Sequence, residues 1–352
     1  MSRSLQVKLH SNPLLADGLS YEDVYIIPSM SDVESRSHVS TKTCFTTNPG
    51  DDDASGGVSG WLDAPIISAN MDTVTGPEMA IAMRKAGAIG ALHRACSIEQ
   101  AVDDYKQVAR VLGHVMPCFV TIGAGEEGLE RAWCLMEAGA KWLIVDVAHG
   151  HSSYAMETVA RIRGLRPDVF IMAGNVVTPE GVHALERAGA DAIKVGVGPG
   201  LACTTKNVAG VTVPQFSAVA ACVEAAESAY IIADGGIRTP GDAAKAFAVG
   251  ADAVMVGGLF AHCPEAPGDR NEDGTAKVFR GSSTREVRKL LRGTTDNKTT
   301  PEGVSMMVPI GHNAEHVVND IMGGVRSAAS YVGATSLRQF RTLATFGIRR
   351  NR

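Results

Sequence analysis

One phrase recurs four times along this chain of 352 residues, and it constrains the fold more than any other feature. An amphipathic stretch reaches a glycine and a short apolar run follows at once, as in "ERAGADAIKV" and "FAVGADAVMV". Such glycines are typical of helix C-caps, and such runs are typical of parallel strands buried on both faces. The repeat therefore predicts consecutive βα units. Its glycines are Gly87, Gly139, Gly189 and Gly250.

Eight apolar runs can be counted, and helical periodicity fills most of the gaps between them. Thr178–Pro179 and Thr239–Pro240 are favourable N-cap and N1 pairs at two predicted helix starts. Eight βα units predict an α/β fold of the TIM-barrel type, whose chemistry lies at the carboxyl ends of the strands. A doubly wound open sheet is the alternative. The predicted strands are Ile66–Ala69, Ile89–Leu92, Phe119–Ile122, Leu143–Val147, Phe170–Ala173, Ala192–Val197, Tyr230–Ala233 and Ala253–Val256.

Two segments lie outside the repeat, within what we predict to be one catalytic domain spanning residues 1–352. Residues 41–60 are polar and glycine-rich, which predicts a flexible loop before the first barrel strand. Residues 264–312, which we call the lid segment, follow the last strand; an excursion of this length is often an active-site lid, with a disordered linker as the alternative. Within it, "AKVFRG" and "VSMMVP" predict the two strands of a small hairpin.

Composition excludes several classes of function. A formal net charge of −5 gives no broad basic surface, so we expect no nucleic-acid partner. No apolar run approaches the length of about 18 residues that a membrane span needs, and the first residues lack the apolar core of a signal peptide. The seven cysteines are scattered and contain no CxxC pair, which disfavours a disulfide framework or structural zinc and favours a cytoplasmic location.

Glycines and polar residues follow the predicted strands where a barrel would carry its chemistry. Gly235–Gly236 and Gly257–Gly258 follow the seventh and eighth strands, where barrels commonly bind phosphate through backbone N–H groups. Asp234 would repel a phosphate, but it can accept hydrogen bonds from ribose hydroxyls. Together these residues predict a site for a nucleoside monophosphate, although glycines that serve only as turns would need no ligand.

The stretch "KVGVGPGLACTTKNVAG" places Cys203 in a glycine-rich loop after a strand. Most such cysteines are small buried apolar residues, but a thiol among exposed backbone N–H groups favours the nucleophilic thiolate. Thr204 and Thr205 add hydroxyls that can relay protons. A carboxylate from the lid segment, Glu302, can pair with Thr205, although an isolated loop glutamate is more often only a solvated charge.

These residues belong to a series of motifs that resembles the IMP dehydrogenase/GMP reductase family from about Leu19 to the C-terminus. The resemblance implies a TIM barrel, usually a homotetramer, in which a catalytic cysteine bonds to purine carbon 2. Only one helix fits between Leu92 and Phe119, which leaves no room for the CBS modules common in the dehydrogenases, and the lid segment lacks their Arg–Tyr pair. The chain is therefore most similar to the GMP reductase branch. The motifs include "PIISANMDTV", "DVAHG", "IMAGNVVTPE", "ADGGIRTPGD", "EAPGD" and "GGVRSAASYVGA".

The resemblance to GMP reductases implies a reductive deamination of GMP with NADPH. Cys203 attacks purine carbon 2, ammonia leaves with protons from Thr205 and Glu302, and hydride releases the covalent thioimidate as an IMP-like product. An amine leaves only when protonated, and the lid must exclude water so that hydride reaches the adduct. Two alternatives remain: an IMP dehydrogenase without CBS modules, and a nucleotide-binding barrel that has lost catalysis.

Position by position, the resemblance implies three groups of binding residues. The substrate nucleotide would be bound by Asp234, Gly236, Gly257, Gly258, Gly281, Ser282, Ser283 and Gly303. NADPH would be bound by Arg94, Asp146, Val147 and Ala148, with its adenosine end near Ser35, Arg36, Ser327 and Ser330 across a subunit boundary. A monovalent cation such as K⁺ would be held by carbonyls of Gly198, Gly200 and Cys203.

The chain departs from the family pattern at the phosphate end of the site and in the lid segment. Leu201 stands where the family has a serine whose hydroxyl binds the substrate phosphate, a hydrogen bond worth about 0.5–1.5 kcal/mol. Ser282 replaces a methionine, Thr299 replaces an arginine three residues before Glu302, and "PIGH" replaces "PYKG". These departures raise the hypothesis of a modified guanine nucleotide, such as a 7-deazaguanine nucleotide, with GMP as the default substrate.

Overall fold

Three short strands precede the barrel in a computed structural model, which describes residues 18–47, 59–113, 115–292 and 300–349. They are β1 (Val24–Ile27), β2 (Thr43–Thr46) and β3 (Ser59–Leu62). Eight parallel strands then close into a barrel in which each strand pairs with its sequence neighbours and the last pairs with the first. The barrel strands are β4 (Ile66–Ser68), β5 (Ile89–Leu92), β6 (Phe119–Ile122), β7 (Trp142–Asp146), β8 (Phe170–Val176), β9 (Ala192–Val195), β10 (Tyr230–Asp234) and β11 (Ala253–Val256).

Helices connect consecutive barrel strands and cover the barrel from outside. Those up to the last strand are α1 (Pro77–Lys85), α2 (Ile98–Leu112), α3 (Glu126–Glu137), α4 (Ser153–Leu165), α5 (Pro179–Ala188), α6 (Thr205–Val208), α7 (Gln215–Ala225) and α8 (Pro240–Val249). The elements after it are α9 (Gly258–Ala261), β12 (Ala276–Arg280), α10 (Arg285–Arg292), β13 (Ser305–Pro309), α11 (Ala314–Tyr331), α12 (Leu337–Leu343) and β14 (Thr345–Ile348). The predicted TIM barrel is confirmed, and the open-sheet alternative is wrong.

The helix ends follow the predicted capping chemistry. The Thr178 hydroxyl accepts the N–H of Gly181 at the start of α5, and Thr239 forms a capping box with Asp242 at the start of α8. Gly189 and Gly250 cap α5 and α8 with φ of +100° and +121°, in the region that favours glycine. The capping residues therefore set where α5 and α8 begin and end.

Large aromatic side chains fill the amino ends of the barrel strands. Trp142 and Phe170, the first residues of β7 and β8, have ring centroids 4.8 Å apart. Phe45 of β2 packs edge-on against Tyr230, the first residue of β10, at 4.8 Å. The β2–β3 hairpin therefore closes the amino end of the barrel, and the prediction of a flexible loop over residues 41–60 is wrong at its two ends. Residues 48–58 lie outside the described part.

The lid segment contains the predicted hairpin. β12 and β13 pair antiparallel from Ala276 opposite Pro309 to Arg280 opposite Ser305. Lys277 is fully buried, and its ammonium donates to the carbonyls of Cys263 and Ala266, at 2.7 Å for the latter. This contact attaches the hairpin to the chain just after α9. Within the described ranges, none of the helices combines the length and the apolar character needed to cross a membrane.

Candidate active site

The carboxyl ends of the barrel strands open into a cavity of about 830 Å³. This volume lies within the range of about 300–1,000 Å³ that ligand pockets occupy. Every barrel strand contributes to the wall, as the end of a TIM barrel that carries chemistry requires. The contributing residues, one from the end of each strand or from the loop after it, are Ala69, Arg94, Gly123, Asp146, Asn175, Gly196, Asp234 and Gly257.

The loop between β9 and α6 presents a thiol next to a hydroxyl. The Sγ of Cys203 lies 3.3 Å from Oγ1 of Thr205, which is the first residue of α6. The N–H of Cys203 donates to the carbonyl of Gly200 at 3.1 Å, and this turn brings the thiol back toward the cavity. Cys203 is half-buried and lines the cavity together with Thr205. A nucleophile and a proton-carrying group are therefore in contact.

Backbone hydrogen bonds fasten the lid segment to the cysteine loop. The N–H of Thr204 donates to the Glu302 carbonyl at 2.8 Å, and the N–H of Val304 donates to the Ala202 carbonyl at 3.1 Å. Gly281 approaches the same loop so closely that a Cβ there would lie 2.6 Å from the Ala202 oxygen. The main chain thus places Glu302 beside the cysteine loop, where its side chain lines the cavity.

An ion cluster around the buried Lys194 forms part of the cavity wall. The Lys194 ammonium of β9 lies 2.7 Å from Oδ1 of Asp146 and 2.8 Å from Oδ2 of Asp234. The side-chain amide of Asn175 donates to the same oxygen of Asp234 at 2.8 Å and to the Gly196 carbonyl at 2.7 Å. One cation therefore fixes the two acids that end β7 and β10.

The cluster sets the ionisation of its members. Burial alone would raise the pKa of Asp146, but the attraction and hydrogen bond of Lys194, with help from Arg94, bring that pKa below its ordinary value. Burial alone would lower the pKa of Lys194, but the two carboxylates raise it instead. Asp146 can therefore serve as a fixed hydrogen-bond acceptor rather than as a proton carrier.

Glycines line the side of the cavity where a phosphate is predicted. Gly235 and Gly236 have φ of +89° and +79°, and a Cβ on Gly235 would lie 3.0 Å from the ring of Pro199. A Cβ on Gly258 would lie 3.5 Å from Cδ2 of Leu201. Leu201 is 52% exposed, so its isobutyl group covers this glycine without being packed into the core.

Most of the predicted site residues meet at the cavity. The substrate, dinucleotide and cation groups supply Asp234, Gly236, Gly257, Gly258, Gly281, Ser282, Ser283, Arg94, Asp146, Val147, Ala148, Gly198 and Gly200 to its wall, together with the predicted catalytic Cys203, Thr205 and Glu302. Gly303 does not line it but bridges to Cys203 through the backbone. Thr299 lies outside the described residues.

Besides Gly303, four predicted residues do not reach the cavity within this chain. Ser35 and Arg36 lie at a short helical turn against which α11 packs, and α11 carries Ser327 and Ser330. Ser31 holds the two elements together by donating its hydroxyl to the Ser330 carbonyl at 2.6 Å. The resemblance places this group in a site shared between subunits, and that expectation stays a prediction.

Several cavity residues were not predicted. The sequence does indicate a special role for Lys194, because a lysine inside the buried strand "AIKV" must find acidic partners. Asn70 and Asn175 stand at strand ends in motifs that were noted, but no role was assigned to them. Arg238 lies within the motif "ADGGIRTPGD" without an assigned role. The other polar wall residues that were not predicted lie in no quoted motif; they are Glu127, Arg131, Tyr154, His262 and Arg288.

A sequence model for the "IMP dehydrogenase / GMP reductase domain" matches residues 18–351, nearly the whole chain. The chain belongs to this family. Among its relatives, GMP reductase 1 of Mus musculus is 40% identical over 339 residues, covering 93% of this chain and 94% of its own. GMP reductase 2 of Homo sapiens is 39% identical over 334 residues, covering 93% of each chain. GMP reductase of Shewanella halifaxensis (strain HAW-EB4) is 39% identical over 333 residues, covering 93% and 94%.

Membership in the IMP dehydrogenase/GMP reductase family confirms the predicted resemblance and the predicted class of enzyme, an oxidoreductase. The GMP reductases match this chain over more than nine-tenths of their own length, so the likeness covers the barrel, the cysteine loop and the lid segment alike. The roles of individual residues rest on the geometry above and on the family motifs that they match.

Proposed function

We propose that this protein is an NADPH-dependent reductase that converts a guanine nucleotide to its hypoxanthine counterpart and ammonia, with GMP as the default substrate. The observation that carries the proposal is the 3.3 Å contact between Sγ of Cys203 and Oγ1 of Thr205 at the wall of a nucleotide-sized cavity. The similarity to three proteins named GMP reductase supports the same substrate.

In the proposed reaction, Cys203 and its neighbours carry the deamination. The Cys203 thiolate bonds to purine carbon 2, and the bond from carbon 2 to the exocyclic nitrogen breaks as that nitrogen leaves as ammonia. Thr205 passes a proton to the leaving nitrogen, and Glu302, held beside it by the Thr204 backbone, supplies that proton. The thioimidate then accepts a hydride at carbon 2 and loses the thiolate, which regenerates Cys203.

The wall of the cavity suits a dinucleotide beside the substrate. Arg94 lines it without an ion-pair partner in the described ranges, and a Cβ on Gly123 would lie 3.3 Å from Nη1 of Arg94, so the glycine leaves room for the guanidinium. Asp146, held by Lys194, offers acceptor oxygens at the same end. NADPH, when bound there, supplies the hydride.

The proposal also includes a bound K⁺ ion and a homotetrameric assembly. Carbonyls of Gly198, Gly200 and Cys203 would hold K⁺, and Gly198 adopts a φ of +90° in this loop. A homotetramer in the cytoplasm would bring Ser35, Arg36 and the α11 serines of one subunit to the dinucleotide of another. Gel filtration with light scattering tests the tetramer, and rates in K⁺ against Na⁺ test the ion.

The phosphate end favours a second candidate substrate. Leu201 lies over Gly258 and offers no hydroxyl, so the wall here differs from the family pattern, as it does at Ser282 in the lid segment. A 7-deazaguanine nucleotide is the modified substrate that we propose to test against GMP. High efficiency with GMP and poor turnover of the analogue would remove this candidate.

One assay separates these functions from their alternatives. Oxidation of NADPH, measured with release of ammonia, is followed for GMP, for 7-deazaguanine nucleotides and for a no-nucleotide control. Intact-mass spectrometry then looks for an adduct that disappears in Cys203→Ala and persists in Cys134→Ala. Production of NADH from IMP and NAD would instead assign a dehydrogenase, and binding without adduct or turnover would assign an inactive barrel.

A further inference from the structure

Leu201 and Arg238 lie on two sides of the glycines predicted to bind phosphate. Arg238 follows Gly236 by two residues, and Gly235 contacts the Pro199–Gly200 turn that leads directly into Leu201. Both Leu201 and Arg238 line the same cavity. At position 201 the wall lacks the serine hydroxyl of the family pattern, while the loop after β10 carries the guanidinium of Arg238.

The position of Arg238 is fixed although its side chain is free. Its backbone N–H donates to Oδ2 of Asp242 at 3.1 Å, as part of the polar cap that starts α8. Its guanidinium makes no ion pair with any residue in the ranges 18–47, 59–113, 115–292 and 300–349. Arg341 and Arg280, by contrast, are paired with Asp252 and Asp72. An unpaired guanidinium on a rigid loop at a cavity suits an anionic ligand.

Leu201 explains why such a group is needed here. Its isobutyl group lies 3.5 Å from the position of a Cβ on Gly258, so it covers the start of α9 on the side that faces the cavity. Backbone N–H groups of the glycines remain, but an apolar group beside them weakens the binding of a doubly charged phosphate. An arginine guanidinium can donate two parallel hydrogen bonds to a phosphate and brings a full positive charge, whereas a serine hydroxyl donates one hydrogen bond and no charge.

We propose that Arg238 binds the 5′-phosphate of the nucleotide substrate and replaces the donor that Leu201 removes, which makes these two residues the determinants of phosphate specificity. This inference rests on the proposed function, because it concerns the phosphate end of that same site. It holds for GMP and for a 7-deazaguanine nucleotide alike, since both carry the same phosphate. Arg238 touches the substrate without taking part in bond making.

The test compares GMP with guanosine in binding calorimetry on the full chain. Arg238→Gln weakens GMP binding roughly ten- to a hundredfold and leaves guanosine binding unchanged. Arg238→Lys keeps the charge and recovers part of the loss. Arg285→Gln, an exposed arginine outside the cavity wall, serves as the matched control and changes neither ligand. Added salt reduces the difference in GMP affinity between the wild type and Arg238→Gln, because screening weakens the arginine–phosphate contact in the wild type.

A double-mutant cycle tests the pairing of the two residues. Leu201→Ser strengthens GMP binding, and in that background Arg238→Gln causes a smaller loss than in the wild type. Equal effects of Arg238→Gln on GMP and guanosine, or no effect on either, would overturn the inference while the reductase activity stands. If the wild-type protein neither binds guanine nucleotides nor oxidises NADPH with them, the proposed function fails first and this inference fails with it.

Discussion

The Thr205 hydroxyl lies 3.3 Å from the Cys203 sulfur because the two residues are separated by one position at the turn into α6. The same turn directs the Thr204 N–H toward the carbonyl of Glu302. The thiol and the hydroxyl thus belong to one segment of chain, and the carboxylate belongs to another. Hydrogen bonds between backbone groups hold the two segments together. The position of Glu302 beside the cysteine loop therefore does not depend on its carboxylate.

Removal of the Thr205 hydroxyl should slow the reaction without unfolding the protein. We expect Thr205→Ala to lower kcat by about 10²–10⁴, the usual contribution of a positioned acid or base. Thr205→Ser keeps the hydroxyl and should retain most of the rate. Thr204→Ala is the matched control, since the Thr204 side chain does not line the cavity. Steady-state rates of NADPH oxidation decide between the variants, and equal losses in both threonine variants would contradict the assignment.

Removal of Lys194 should destabilise the barrel strongly. Lys194→Met leaves the carboxylates of Asp146 and Asp234, which are 21% and 19% exposed, without their cation, and losing the buried partner in this way costs up to about 3–5 kcal/mol of unfolding free energy. Lys141→Met removes a cation from an exposed pair with Asp168 and should cost less than about 1 kcal/mol. Urea unfolding followed by circular dichroism measures both. A Lys194 variant as stable as the Lys141 variant would show that the cluster does not hold the strands together.

The contribution of Asp146 to the unfolding free energy should depend on pH. Because the folded pKa of Asp146 lies below its ordinary value near 3.8, its contribution is fully present above that value and is lost as the pH falls through the folded pKa. Without Lys194, burial raises the pKa of Asp146 above that value, so the difference in unfolding free energy between wild type and Lys194→Met should begin to shrink before the pH falls to 3.8 and continue to shrink below it. Unfolding curves collected from pH 7 to pH 3 measure it, and a difference that grows toward low pH would have the wrong sign.

Gly281 should be required where the lid segment meets the cysteine loop. A Cβ in Gly281→Ala would lie 2.6 Å from the Ala202 oxygen, so the two segments must separate and Glu302 must move with them. We expect a loss of about 1–3 kcal/mol in unfolding free energy and a lower kcat. Gly164→Ala in α4 meets no atom within 4 Å and should be neutral or slightly stabilising. Thermal unfolding and turnover of the two variants make the comparison.

The repeat of helix, glycine and strand was sufficient to predict the barrel, because the helical periodicity, the apolar strand runs and the capping glycines are all local properties of the sequence. The β2–β3 hairpin was not predicted, since its reason for forming is Phe45, which packs on rings from strands more than 100 residues away. The site was predicted largely through family motifs. Lys194 was missed although a lysine inside a buried strand signals acidic partners. Arg238 was missed because its importance depends on which groups the closed barrel brings near it, and spacing along the chain does not encode that.

The aromatic packing at the amino ends of the strands has a consequence for how this enzyme can change. In β7 the four residue steps from Trp142 to Asp146 separate that packing from the cavity by roughly 13 Å, so the aromatic residues that hold the barrel closed do not line the cavity. Replacements such as leucine for serine at position 201 can therefore accumulate around the ligand with little risk to the scaffold. A barrel closed in this way lets the range of accepted nucleotides drift during evolution while the architecture persists.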